Sequence, residues 1–232
     1  TTGILSTFLG AFAGDAQTSG SRNVGIGYAA LSGNTLGKRN VAVGGGALEL
    51  FNLSTDTDGY NTAVGHEAGN AVTTGTENTF VGGKTADALT TGSENTAIGY
   101  NALSADTLGS KTVAIGRGTL DAQNFTTATD TYNVAVGYNA GTQVTTGKRN
   151  VLLGGAAGDS ITSSDDNIAI GYLALDANTV GSANIAIGSH ALDAMNPATA
   201  TTMYNIGIGY AAGGAVTTGT RNTLIGGLAG DA

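Results

Sequence analysis

The sequence predicts an all-β fold, a parallel β-solenoid or β-roll of thirteen coils of 17 or 21 residues, and three observations predict it. The string Asn-x-x-(Val/Ile/Leu)-Gly recurs without a gap, its glycines being Gly10, Gly27, Gly44, Gly65, Gly82, Gly99, Gly116, Gly137, Gly154, Gly171, Gly188, Gly209 and Gly226. The spacing is 17 residues except for one step of 21 in every four, which makes a 72-residue super-repeat. Glycine supplies 39 of 232 residues, so a helical reading would be interrupted at every turn at a cost of about 1 kcal/mol per glycine. Repeats of this period describe coils that stack on their neighbours.

The super-repeat is one of residues as well as of length. Tyr60, Tyr132 and Tyr204 are 72 apart, as are Phe8, Phe80, Leu152 and Leu224, and Asp15, Asp87, Asp159 and Asp231. The opening Thr1-Thr2-Gly3 has the phase of Thr217-Thr218-Gly219, and the closing Gly230-Asp231-Ala232 that of Gly14-Asp15-Ala16. Residues 1–232 therefore read as one continuous solenoid domain, expected to be a segment of a longer fibre.

Each element has a physical reason. The second residue of a unit is β-branched (Thr7, Val24, Val41, Thr62) and the fourth is Leu, Ile or Val (Leu9, Ile26, Val43, Val64), so the two share one face of a strand. That face is expected to point inward. The residue between them is Ala or Gly in nine units, which predicts a second, small face packed closely against a neighbour. The glycine that follows suits a turn with φ > 0 or a close backbone approach. A second glycine, as at Gly20, Gly75, Gly92 and Gly147, closes a Thr-rich turn signal. Asparagine opens eleven units, the exceptions being Ser6 and Thr112. Stacked in register, these predict an Asn ladder between coils.

Composition narrows the function. A formal charge of −8, with only nine Lys and Arg, opposes binding to nucleic-acid phosphates. No apolar run approaches the roughly 20 residues of a membrane span, so no membrane insertion is expected. There is no cysteine, which removes disulfides and zinc-thiolate sites. An acidic, weakly charged chain suits an extracellular surface. Large apolar side chains are sparse in each coil; in residues 61–77 they are Val64 and Val72. Two aliphatic side chains poorly fill a wide single-chain tube. A parallel homotrimer with the small face at the threefold contact is therefore favoured over closure by one chain.

Asn61-Thr-Ala-Val-Gly65, Asn95-Thr-Ala-Ile-Gly-Tyr-Asn-Ala-Leu103 and Asn133-Val-Ala-Val-Gly-Tyr-Asn-Ala140 resemble two related repeats. One is the head repeat of trimeric autotransporter adhesins. The other is the NTAxGxxALxxNTTG repeat of bacteriophage tail fibres, whose period is likewise 17. The resemblance implies a trimeric, left-handed parallel β-roll in an extracellular attachment fibre, on a virion or a bacterial cell surface. Its partners would be its own copies, as a homotrimer or end to end, and a cell-surface glycan or host receptor.

Sites for chemistry are few, and no catalytic residue, cofactor or metal is expected. Gly25-Ile-Gly27-Tyr-Ala-Ala30 matches a dinucleotide fingerprint, and Gly82-Gly83-Lys84-Thr85 the end of a phosphate loop, but both sit in solenoid coils without the helix each needs. His66 and His190 are expected to be surface residues, since no nucleophile motif accompanies them. Asp15, Asp87, Asp159 and Asp231 would lie about 19 Å apart on the coil spacing, too far to share a metal. Asp56 with Asp58, and Asp165 with Asp166, read as turn carboxylates. No acid is expected to recur from coil to coil, which sets aside a hydrolase with paired carboxylates. The better candidates are the 21-residue units, where Phe51, Asn52, Asn124, Phe125, Met195 and Asn196 offer surface contacts on loops, packing of Phe51, Phe125, Met195 and Met203 under those loops being the competing expectation. The alternative function is a single-chain solenoid binding carbohydrate or ice through threonine ladders, for which Thr74, Thr146 and Thr218 are the test positions.

Overall fold

The computed structural model describes residues 3–231; Thr1 and Thr2 of the opening motif and Ala232 of the closing one lie outside the described residues. The chain is a parallel β-solenoid of about thirteen turns, with no helix among the described residues. Its residues group into two compact units, 1–112 with 124–130, and 113–123 with 131–232.

In the first unit six three-residue strands carry the repeat: β1 (Thr7–Leu9), β2 (Val24–Ile26), β3 (Val41–Val43), β4 (Thr62–Val64), β5 (Thr79–Val81) and β6 (Thr96–Ile98). Each pairs in parallel with the next, Thr7 facing Val24, Val24 facing Val41, and Val41 facing Thr62 across a 21-residue coil. A short ladder joins β7 (Gly109–Ser110) to β9 (Thr129–Asp130) at the edge of a longer coil. The second unit repeats the plan with β8 (Val113–Ile115), β10 (Val134–Val136), β11 (Val151–Leu153), β12 (Ile168–Ile170), β14 (Ile185–Ile187), β16 (Ile206–Ile208) and β17 (Thr223–Ile225). There β13 (Gly181–Ser182) pairs with β15 (Thr201–Thr202).

Which strand face is inside reverses the sequence expectation. The central residue is the buried one: Ala42, Ala63, Phe80, Ala97, Ala135, Leu152 and Ala169 are inaccessible. The β-branched and aliphatic residues on either side point outward and are half-buried or exposed. The small residue is required because the coil is narrow and its interior is shared with the following turn. In the coil that begins at Asn61, Ala63, Ala68 and Val72 fill it with Asn61 itself. One chain thus closes the coil, and the thin apolar content reflects a thin tube.

The glycine after each strand is explained by both predicted causes. Gly44 has φ +139°, and a Cβ there would lie 2.2 Å from the carbonyl oxygen of Gly65. Elsewhere the same tight path is imposed on ordinary residues: Leu48 and Leu103 hold φ of 48° and 57°. A left-handed residue costs about 1–2 kcal/mol, and burial of both leucines is what offsets it.

The Asn ladder forms as predicted. The backbone amides of Asn78, Asn95 and Thr112 donate to Oδ1 of Asn61, Asn78 and Asn95, at 2.9–3.0 Å. Each Nδ2 reaches the turn carbonyl 14 residues on, as from Asn61 to Gly75, Asn78 to Gly92 and Asn133 to Gly147. In the 21-residue coils that carbonyl is displaced by the insertion, and Asn40 and Asn184 turn their amides back to Lys38 and Ser182. Thr112, which opens the remaining 21-residue coil, replaces asparagine where the usual acceptor is displaced.

Candidate functional site

The 21-residue units split their candidates by depth. Phe51 and Met195 are inaccessible, Phe125 is 6% exposed and Met203 1%. Phe51 fills the space left by Gly37 and Gly59, on each of which a Cβ would come within 2.7 Å of its ring. The three apolar candidates therefore pack the coil and present nothing to a partner, which corrects their assignment as surface contacts. Asn52, Asn124 and Asn196 are exposed, but their carboxamides are engaged: Oδ1 accepts from the hydroxyls of Thr35, Thr107 and Thr179 at 2.6, 2.9 and 2.8 Å.

Those bonds belong to a column that the sequence reading missed. Position for position, the coils place Thr18, Thr35 and Asn52, then Thr73, Thr90, Thr107 and Asn124 in the first unit; Thr145, Thr162, Thr179 and Asn196 follow in the second. Thr73 and Thr90 donate their hydroxyls to the carbonyls of Thr90 and Thr107, and Thr145 and Thr162 to those of Thr162 and Thr179. The hydroxyl protons are spent on coil stacking. The signal was a 17-residue spacing of the residue two places before the turn glycine, the first threonine of the Thr-Thr-Gly turns.

The remaining polar candidates are accounted for locally. Asp56 pairs with Lys38 at 2.8 Å, and Asp58 with Arg39. Asp165 and Asp166 are clamped by Arg149 at 2.6–3.0 Å; its hydrogen bond and charge hold the Asp166 carboxyl below the usual range. Thr85 donates to the Gly99 carbonyl, and Lys84 lies 3.6 Å from Glu67, so the phosphate-loop lookalike is a coil turn. His66 is exposed beside Glu67. His190 is half-buried, its Nδ1 3.0 Å from Asp193 and its ring edge-on to Tyr172.

One expectation about acids is overturned. Asp159, Asp176 and Asp193 occupy the same position in three successive coils, where backbone bonds from Ser160 to Asp176 and from Ala177 to Asp193 stack them. Burial, then the neighbouring charges of Asp159 and Asp193, push the Asp176 carboxyl up, and His190 opposes the shift. Desolvation likewise raises Asp159, against a hydrogen bond from Thr142. No group of three or more His, Asp or Glu side chains is placed to hold a metal among the described residues. No helix of the described residues is long and apolar enough to cross a membrane.

Two surfaces remain conspicuous. The outward strand face carries two aliphatic columns; in the second unit Ile168, Ile170, Ile185, Ile187, Ile206 and Ile208 are all only half-buried. Beside the strands runs a row of exposed aromatic residues, Tyr28 and Tyr100 in the first unit and Tyr138, Tyr172 and Tyr210 in the second. Comparison of the chain with protein-family models, curated proteins and solved structures returned no match.

Proposed function

We propose that this chain is a structural and adhesive segment of an extracellular fibre, on a virion or a bacterial cell surface, assembled as a left-handed parallel homotrimer. The observation that carries the proposal is the outward aliphatic face. Six successive coils of the second unit present Val, Ile or Leu at both outward strand positions, from Val113 and Ile115 to Ile206 and Ile208, and none of these side chains is buried. A flat apolar sheet face of this extent is a protein contact surface. Because six successive coils repeat it, the face is complementary to its own copies about an axis along the stacking direction. The threefold contact thus shifts from the Ala/Gly positions to the Val/Ile columns. The repeated coil serves as a rigid shaft, and its polar faces provide the attachment surface.

Native mass by light scattering tests the assembly. The expected result is three times the chain mass of 22.7 kDa, falling to a single chain in Ile170→Lys/Ile187→Lys with the β-sheet circular dichroism retained. A wild-type mass of one chain overturns the trimer and favours the single-chain ligand-binding solenoid, for which the Thr/Asn column supplies a regular face.

A further inference from the structure

We infer that the aromatic row is a binding surface for a neutral, extended β-1,4-linked polysaccharide lying along the coil-stacking direction. In the first unit the position after the strand glycine reads Tyr28, Gly45, His66, Gly83, Tyr100 after an initial Ala11; in the second it reads Tyr138, Gly155, Tyr172, Ser189, Tyr210 between Arg117, whose guanidinium lies over the Tyr138 ring, and Gly227. A large ring alternates with a glycine or serine, so rings recur every second coil, about 9.6 Å apart on the spacing of paired strands. That interval is close to the disaccharide repeat of an extended β-1,4-linked glycan, in which alternate sugars turn the same face to one side.

The glycines make the rings into platforms. A Cβ on Gly45 would lie 3.6 Å from His66 Cδ2, on Gly83 3.7 Å from Tyr100 Cδ2, and on Gly155 3.5 Å from Tyr172 Cδ2. Each of these rings leans back over the glycine of the preceding coil and offers its other side to solvent; Tyr100 is 51% and Tyr172 58% exposed. Hydrogen-bonding groups flank the platforms. An open cleft of about 380 Å³ beside Tyr28 is lined by Phe12, Asp15, Ser32 and Glu49. A second, of about 280 Å³, runs over Gly45 and Gly46 from Tyr28 to His66, with Glu49 and Glu67 on its wall. In the second unit Asp193 holds His190, whose ring lies 5.8 Å from that of Tyr172 and 6.4 Å from that of Tyr210. Aromatic faces with acceptor side chains beside them suit sugar rings and their hydroxyls. The charge lining the two clefts is acidic, which selects a neutral glycan over a polyuronate or a sulfated one. The inference supplies a ligand class for the attachment reading and does not require the trimer.

The test is affinity electrophoresis of the full chain through gels containing soluble hydroxyethyl cellulose, with soluble starch and polygalacturonate as comparison polymers. Retardation is expected in the β-1,4-glucan alone. It should weaken about tenfold or more, as for truncation of an aromatic anchor, in Tyr172→Ala and Tyr28→Ala. Tyr60→Ala, which removes an exposed tyrosine outside the row, should match wild type. Absence of retardation, equal retardation in starch or polygalacturonate, or undiminished retardation of the row variants overturns the inference. So does a fall in native mass on Tyr172→Ala without any glycan effect, which would make the row a contact between copies. Native mass read on the same samples separates this outcome from failure of the trimer, since a monomer whose retardation depends on Tyr172 retains the inference, and a trimer without retardation loses it alone.

Discussion

Phe80 and Gly69 share one volume: a Cβ placed on Gly69 would lie 2.7 Å from Phe80 Cδ2. Phe80 is the strand centre of its coil and is inaccessible, while Gly69 holds the turn position of the coil before it, at φ +58°. Leu152 stands in the same relation to Gly141, and it also fills the space beside Gly158 in its own coil. Where the strand centre is alanine, as at Ala63 and Ala135, that turn position is leucine, Leu48 and Leu120, in nearly the same left-handed conformation. The interior volume of the tube is conserved while its large residue changes sides.

The exchange predicts compensation. Phe80→Ala alone should cost about 3–5 kcal/mol through the cavity it leaves, and Gly69→Leu alone should cost about 1–3 kcal/mol through overpacking. The double variant reproduces the alanine–leucine arrangement of other coils and should recover most of the loss. Equilibrium denaturation of the four proteins measures the coupling; additive losses would contradict a shared volume.

The Asn ladder predicts sharply unequal effects of neighbouring substitutions. Asn78 is fully buried, accepts from the amide of Asn95, and donates Nδ2 to Gly92 and Asn61. Asn78→Ala leaves buried partners without hydrogen bonds, at about 1–3 kcal/mol for each. Glu77→Ala, one residue away on the surface, should change the melting temperature little. Similar losses at the two positions would show that the ladder adds no stability.

The period, the parallel stacking and the ladder were legible in the sequence because 17-residue spacing and a repeated asparagine are properties of the chain alone. Which face is inside was not. A period of two shows that Val24 and Ile26 share a side, yet only the width of the tube decides that Gly25, not they, points into it. Phe51 and Met195 were ambiguous for a related reason, because an insertion can add a loop outside or fill a gap inside. The columns of Thr73 with Thr90 and of Asp159 with Asp176 were less legible because each runs through only a few coils, the first interrupted by Asn52 and Asn124 and the second bounded by Thr142 and Gly214. The aromatic row was hidden by its own alternation, since Tyr138 and Tyr172 are two coils apart.

Asp106 carries a prediction of increased stability. It is fully buried, and its Oδ1 accepts from the amides of Gly109 and Phe125 at 3.1 and 3.3 Å. The residues 72 positions away in each direction are Asn34 and Asn178, which also donate Nδ2 to the carbonyls of Gly37 and Gly181 at 2.9 and 2.7 Å. Asp106→Asn keeps the acceptor, supplies a donor directed at the Gly109 carbonyl, and removes a buried carboxyl. A gain of about 1 kcal/mol is expected, read as a higher denaturation midpoint at neutral pH. A lower midpoint would mean that the carboxylate is itself a stabilising element of that turn.

The carboxylate column fixes the direction of a pH dependence. Asp176 lies between Asp159 and Asp193, with His190 bonded to Asp193, and burial with those like charges raises its carboxyl above the ordinary range. Asp159 is raised by burial as well, and its Oδ1 is shielded without a hydrogen-bond partner. A raised carboxyl binds its proton more tightly folded than unfolded. Stability from these groups is therefore full below the ordinary carboxylate range and is lost as pH rises through the raised folded value. Asp166, held low by Arg149, acts in the opposite sense, present above the ordinary range and lost as pH falls through its lowered value. A comparison of wild type with Asp176→Asn isolates the column. The variant should melt higher at pH 7, where the wild-type column is ionised, and the difference should shrink as pH falls through the window between the raised and ordinary values. A pH-independent difference would assign the effect to altered packing rather than to charge.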